Sequence, residues 1–262
     1  MGIVNVTPDS FSDGGRFFGH GAALNHARRL MADGADLLDL GGESTRPGAE
    51  PVSEDEELGR VVPLVEAIRR ESAIPISIDT VKPAVARAAT AAGAAIWNDV
   101  TALRHSPDSL ETAAALGCKV VLMHMQGEPR TMQADPHYQD VVAEVADFLT
   151  ARADAAIAAG VARGSILIDP GIGFGKSTAH NLALLAHLEV FTESGFRVLL
   201  GASRKRFIQA LDSRAAEASD RIGGSLAVAL RGAEAECAIV RVHDVRETVQ
   251  ALTIRAAIDA AR

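Results

Sequence analysis

The chain has 262 residues, 48% of them apolar, and a formal charge of −8 at neutral pH. That balance can bury a full core and argues against sequence-independent nucleic-acid binding, which needs clustered Lys and Arg to displace counterions; an anionic substrate must be held by a local basic group. No run approaches the roughly 20 apolar residues of a membrane span, no secretory leader is visible, and Cys118 and Cys237 match no zinc or redox spacing, so they read as reduced thiols of a cytoplasmic protein.

Eight short apolar runs read as strands, at residues 2–6, 36–40, 75–78, 94–97, 119–123, 165–168, 197–200 and 238–242. Each finishes on or beside polar groups: Asn5, Gly41-Gly42-Glu43, Asp79, Asn98-Asp99, His124, Asp169, Ser203-Arg204-Lys205, and Arg241 with His243. One polar strand end means little, but a series of them describes a ring facing one site. Helical periodicity lies between the runs, clearly at 54–70, 139–159, 219–233 and 245–260, more weakly at 21–32, 83–92, 108–115 and 182–194. The clear helices open near an Asp or Ser able to cap them. Pro63 inside 54–70 is expected to bend or locally break that helix. Strand and helix alternate without a Gly/Ser/Pro linker, and a (β/α)8 barrel takes about 250 residues. We therefore expect an α/β chain, a single (β/α)8 TIM barrel domain over 1–262 with long loops after strands 1 and 2; a doubly wound open sheet is the runner-up.

The loops at 7–15 and 41–49 exceed the 2–6 residues usual for such connections. They are rich in Gly, Pro and hydrogen-bonding groups, and both are expected on the catalytic rim. The segment Asp169-Pro170-Gly171-Ile172-Gly173-Phe174-Gly175-Lys176-Ser177 looks like a nucleotide phosphate loop, but Pro170 stands where that pattern needs its first glycine. Its glycines are better explained as letting backbone pass close to a flat ligand, with Asp169 exposed to accept two parallel N–H bonds from a guanidine-like ring edge. Asn5, Arg241 and His243 lie on the first and eighth strands, neighbours in a closed barrel, and form a candidate phosphate or pyrophosphate site. Asp79, Asn98 and Asp169 offer acceptors and Lys205 a donor, a set suited to an amino-pyrimidinone edge. His124 reads as a packed core histidine and receives no chemical role.

Five segments carry a resemblance to a known family: residues 5–15, Gly42-Glu43-Ser44-Thr45-Arg46-Pro47-Gly48, residues 169–176, Ser203-Arg204-Lys205, and Arg241-Val242-His243-Asp244-Val245. In this order along the chain they resemble the signature segments of the dihydropteroate synthase family. The resemblance implies a cytoplasmic enzyme of folate biosynthesis, a transferase and sulfonamide target. It would join p-aminobenzoate to 6-hydroxymethyl-7,8-dihydropterin diphosphate, on a barrel, as a homodimer, with Mg²⁺ bound alongside the diphosphate. Residue by residue, it makes Asp79, Asn98, Asp169 and Lys205 the pterin pocket, with Asp79, Asp169 and Lys205 catalytic. Asn5, Arg241 and His243 become the diphosphate site, with Asn5 touching the metal. Ser203 and the helix N-terminus that follows it would receive the carboxylate of p-aminobenzoate. Phe11, Thr45, Arg46 and Pro47 would close over that substrate, and Asp9 and Asp13 would support the folded loop. Family members carry a lead-in segment before the first strand, whereas here the strand begins almost at Met1, so part of the cover at the bottom of the barrel is expected to be missing.

Three alternatives fit parts of the pattern. A pterin-binding methyltransferase module could keep Asp79, Asn98 and Asp169 but has no use for the diphosphate clamp. A silent paralogue would bind a pterin without turning it over. A sugar-phosphate enzyme on the same fold leaves the carboxylates unexplained.

Overall fold

The structure, a computed structural model, describes residues 1–6, 16–44, 50–127 and 131–261. Its strands are β1 (Gly2–Asn5), β2 (Leu38–Gly41), β3 (Ile76–Asp79), β4 (Ile96–Asp99), β5 (Lys119–Met123), β6 (Ile166–Asp169), β7 (Arg197–Leu200) and β8 (Ile239–Val240). They pair in parallel and in chain order. A further parallel bridge, Gly2 with Val242, joins the last strand to the first. Around it Ile3 N donates to Val242 O at 3.1 Å, Val242 N to Met1 O at 2.9 Å, and the terminal ammonium to Val240 O at 3.0 Å. The sheet therefore closes on itself as a barrel; the open doubly wound alternative is set aside.

Among the described residues ten α-helices surround the ring: α1 (Arg16–Ala32), α2 (Glu54–Glu71), α3 (Pro83–Ala91), α4 (Ser109–Leu116), α5 (Val141–Ala158), α6 (Thr178–Ala186), α7 (Glu189–Thr192), α8 (Arg206–Leu211), α9 (Ile222–Glu234) and α10 (Val245–Ala260). Helix α2 runs unbroken through Pro63. One lost N–H is tolerated because the surrounding turns pack Val61, Leu64, Val65 and Ile68 fully into the core. Ser53 caps α2 by accepting from Glu56 N, and Asp140 caps α5 by accepting from Val142 N and Ala143 N. The expected 182–194 helix is two pieces, α6 and α7. Asp244 does not cap α10, because both its oxygens are taken by the Arg204 guanidinium at 2.9 and 2.5 Å.

The two-residue period of a strand sorts the side chains into two layers. One file packs outward on the helices: Val4, Leu38, Leu40, Ile76, Ile78, Trp97, Val120, Leu122, Ile166 and Ile168. The other fills the barrel, where Met1, Leu37, Ile96, Val121, Leu167 and Leu199 form a separate apolar plug. Two residues further along, Ile3 and Met123 stay apolar, but Leu37, Ile96, Leu167 and Leu199 are followed by Asp39, Asn98, Asp169 and Gly201, and Ile239, packed against the plug, by Arg241. The plug closes the bottom of the barrel, and the polar layer above it faces the C-terminal strand ends.

Candidate active site

Strand register sets the polar layer. Asn5 pairs with Gly41, Gly41 with Asp79, and Asp79 with Asn98, so residues at or next to the ends of four strands share one level. A Cβ added at Gly41 would stand 3.7 Å from Asp79 Cβ and 3.9 Å from Asn5 Oδ1; the missing side chain leaves space between them. Arg241, just past β8, meets carboxylates of both β2 and β3. Its Nε donates to Asp39 Oδ2 at 2.5 Å and its Nη2 to Asp79 Oδ2 at 2.8 Å. Asn98 Nδ2 lies 3.4 Å from both oxygens of Asp39, which turns the amide nitrogen toward Asp39 and leaves Oδ1 to accept elsewhere. Burial raises the pKa of Asp79 to about 7, with Arg241 pulling it down and Asp39 pushing it up. Burial also works against the Arg241 charge, but Asp39 and Asp79 outweigh it and hold the guanidinium protonated.

Across the mouth, Asp169 is buried, and its Oδ1 accepts Gly171 N at 2.7 Å. Burial lifts its pKa to about 6 against that hydrogen bond and the charge of Lys205. A Cβ at Gly201 would stand 3.6 Å from Asp169 Oδ2 and 3.8 Å from Arg241 Cδ, so a second glycine keeps the opposite wall open. Lys205 Nζ stacks 4.0 Å from the centre of the Phe174 ring. Burial, then Arg241, lowers its pKa to about 8 against the pull of Asp169 and Asp79. The mouth thus holds two carboxylates able to gain or lose a proton near neutrality, facing a permanent cation and a softened one.

The glycine-rich segment after β6 differs from its expectation. Gly171 and Gly175 have positive φ, and a Cβ there would stand 1.9 Å from His124 O and 2.4 Å from Gln126 O. These glycines serve close approach to the neighbouring backbone after β5, and only Gly173 faces a candidate site residue, Lys205. Lys176, the residue that evokes a phosphate loop, points inward and is 2% exposed. Its Nζ lies 2.9 Å from His124 Nδ1, 3.0 Å from Gly171 O, 3.0 Å from Phe174 O and 3.3 Å from His124 O. Acceptors surround this nitrogen, so the ammonium is the form that satisfies them, against burial, which lowers its pKa to about 7. Burial likewise lowers the pKa of His124 to about 3, so its neutral ring can present the Nδ1 lone pair. His124 is a structural histidine, as its sequence context suggested.

His243 receives from the same architecture a fixed place: its Nδ1 is 3.1 Å from Ser203 Oγ, which also accepts His243 N at 3.2 Å. Burial, then Arg241 and Arg204, lowers its pKa to about 3, so the imidazole expected at the anion site is a neutral ring. Ser203 is buried, and α8 beyond it has only six residues and begins at Arg206. Asp99, next to Asn98, belongs to the loop: its oxygens accept Thr101 N, Thr101 Oγ1 and Leu103 N, supporting a turn in which Ala102 and Leu103 have φ of 55 and 60.

Among the described residues no group of three or more His, Cys, Asp or Glu gathers as a metal cage. Asn5 supplies one hard amide oxygen at the rim. That donor fits Mg²⁺ carried by a diphosphate, since Mg²⁺ takes most of its ligands from phosphate and water. Phe11, Asp9, Asp13, Thr45, Arg46 and Pro47 lie outside the described residues. Lys82 ties down the segment flanking the last three, with Nζ at 2.5 Å from Glu43, 2.6 Å from Glu57 and 2.7 Å from Val52 O.

The structure gathers Asn5, Asp79, Asn98, Asp169, Lys205, Arg241 and His243 on one end of the barrel, as their strand-end positions implied. It adds Asp39, which the sequence reading passed over inside the 36–40 run. A charged residue at an inward position of an apolar strand, with glycine two residues beyond it, is the signal that marks it.

A family model described as pterin binding enzyme matches residues 1–243. Dihydropteroate synthase of Escherichia coli (strain K12) is 48% identical over 254 residues, covering 97% of this chain and 89% of that protein. The structure of Xanthomonas albilineans dihydropteroate synthase with 4-aminobenzoic acid matches with a TM-score of 0.93 at 53% identity, over 99% of this chain and 92% of that one. Dihydropteroate synthase from the same organism in complex with 7,8-dihydropteroate matches with a TM-score of 0.90 at 51% identity, over 99% and 93%.

Proposed function

The chain belongs to the pterin-binding enzymes, among the dihydropteroate synthases, and we propose that its barrel mouth performs the condensation by separating charge before the new bond forms. The reaction joins 6-hydroxymethyl-7,8-dihydropterin diphosphate to p-aminobenzoate, giving 7,8-dihydropteroate and pyrophosphate. What supports a charge-separating route is the ion pair of Asp79 with Arg241, with Asp169 beside the stem of the same arginine at Gly201.

In this reading the pterin ring lies in the polar layer above the apolar plug. Asp169 accepts its guanidine-like N–H edge, and Asn98 and Lys205 fix its orientation. Arg241 turns its tip from Asp79 to the diphosphate, and His243 donates to the same oxygens as a neutral imidazole. Mg²⁺ held with the diphosphate at Asn5 would supply further neutralisation of its charge. The carbon–oxygen bond breaks with its electron pair going to diphosphate. The methylene is left positive, its charge spread into the dihydropterin ring and favoured by ionised Asp79 and Asp169. The neutral arylamine of p-aminobenzoate then attacks, its carboxylate near Ser203, and loses a proton once the carbon–nitrogen bond has formed.

The enzyme is proposed to act in the cytoplasm, in keeping with free Cys118 and Cys237 and with the absence, among the described residues, of any helix long and apolar enough to cross a membrane. It is proposed to work as a homodimer through α9 and α10. Leu226, Leu230, Ala251, Ile254 and Ile258 line a groove there, and its rim carries both signs of charge, so the face can complement a second copy of itself.

The test is pyrophosphate release from purified protein with Mg²⁺ and the dihydropterin diphosphate, with and without p-aminobenzoate, while dihydropteroate is followed by chromatography. Release matched by dihydropteroate is expected; pterin binding without condensation would contradict the assignment.

A further inference from the structure

The polar layer contains one carboxylate with no part in the chemistry above. Asp39 is fully buried, two residues before the end of β2, at the level of Ile3 on one side and Ser77 on the other. It lies a full strand repeat deeper than Asp79, and a ligand at the strand ends meets Gly41 first. Arg241 reaches past that level to Asp39, with Nε at 2.5 Å from Oδ2. The two contacts of Asp39 go to residues assigned to different parts of one substrate: Arg241 on the diphosphate side and Asn98 on the pterin side.

The manner of contact matters. Asp39 takes Arg241 at Nε, the root of the guanidinium, while Asp79 takes it at Nη2, a tip. If the tip exchanges Asp79 for a phosphate oxygen, the root contact still fixes the plane of the fork. On the other side Asp39 draws the amide nitrogen of Asn98 toward itself, which orients Oδ1 as the acceptor toward a ring N–H. One buried carboxylate therefore sets a donor facing the diphosphate and an acceptor facing the heterocycle.

We propose that Asp39 is a positioning residue for the dihydropterin diphosphate, acting through Arg241 and Asn98 without touching the substrate. The inference rests on the site assignment above. Asp39→Asn keeps the shape and removes the charge. It is expected to lower kcat/KM for the dihydropterin diphosphate by about tenfold or more, the scale of a hydrogen bond between charged groups, and to leave KM for p-aminobenzoate unchanged. Combined with Arg241→Ala, it is expected to add less than it costs alone, because the route through Arg241 is gone and only the one through Asn98 remains.

Additive losses in the double variant, or wild-type kinetics in Asp39→Asn, would overturn the inference while leaving the site intact. Undiminished kcat/KM in Arg241→Ala would remove the site assignment and the inference with it. Should Asp39→Asn fail to fold, the wild-type enzyme carries the test by NMR of arginine Nε–H groups. The Arg241 signal, assigned by its absence in Arg241→Ala, is expected to stay protected from exchange when the dihydropterin diphosphate is added. Its loss of protection would show that the root contact breaks, contrary to a positioning role.

Discussion

Asp79 and Asp169 keep protons at a pH where exposed carboxylates have lost them, because burial raises them to about 7 and about 6. In the empty enzyme the folded chain thus holds protons that the unfolded chain has released between the ordinary carboxylate range and neutrality. Their contribution to stability is accordingly greatest below that window and is lost as pH rises through it. Binding has the opposite preference, since N–H donors and a developing cation favour the ionised carboxylates. Pterin binding near pH 6 is expected to release protons, and affinity to fall as pH drops below that value. Calorimetric titration in two buffers of different ionisation enthalpy measures the release directly; binding with no proton exchange would mean that neither carboxylate meets the ligand. At this scale the candidate site was legible wherever a strand run ended on its functional group, as at Asp79, Asn98 and Asp169. Asp39 was passed over because it lies inside its run and not at the end, and the reach of Arg241 across the barrel has no local signature. The neutral state of His243 was equally invisible, since it comes from burial and from Arg241 and Arg204, which only the fold brings near.

Among the elements, the segment after β6 shows how a motif can be right about glycine and wrong about its partner. Backbone from two loops is pressed together at Gly171 and Gly175, and the Lys176 ammonium fills the donor deficit of the carbonyls around it. Lys176→Met keeps the length of the side chain but leaves buried carbonyls without a donor, at about 1–3 kcal/mol for an unsatisfied group. A thermal melt is expected to show a fall of several degrees; an unchanged midpoint would mean that the carbonyls find water instead. Helix positions followed from the 3.6-residue period, but their ends did not. Asp244 stands where a cap belongs and is drawn off by Arg204, which is distant in sequence. The 182–194 pattern splits into α6 and α7, because an apolar period records which face is buried and not where the backbone turns.

For the whole molecule, alternation of strand and helix and the length of the chain implied a closed ring, and the Gly2–Val242 bridge supplies the closure. Closure places the first and eighth strands side by side and so brings Asn5 to the same mouth as Arg241. The outer surface was less legible: α10 leaves Ile254 57% and Ile258 55% exposed, a feature that periodicity alone reads as an ordinary helix face. Sedimentation of the wild-type protein is expected to give a dimer, and Ile254→Glu with Ile258→Glu a folded monomer; a wild-type monomer at micromolar concentration would refute the α9–α10 interface. The central claim concerns the order of bond breaking at that mouth. It is tested most directly by a single-turnover isotope effect with deuterium on the methylene carbon of the dihydropterin diphosphate. A normal secondary effect clearly above unity is expected if the carbon becomes planar and positive before the amine bonds to it. An effect at unity would contradict this, placing amine attack and diphosphate departure in one concerted step and leaving Asp79 and Asp169 no cation to stabilise.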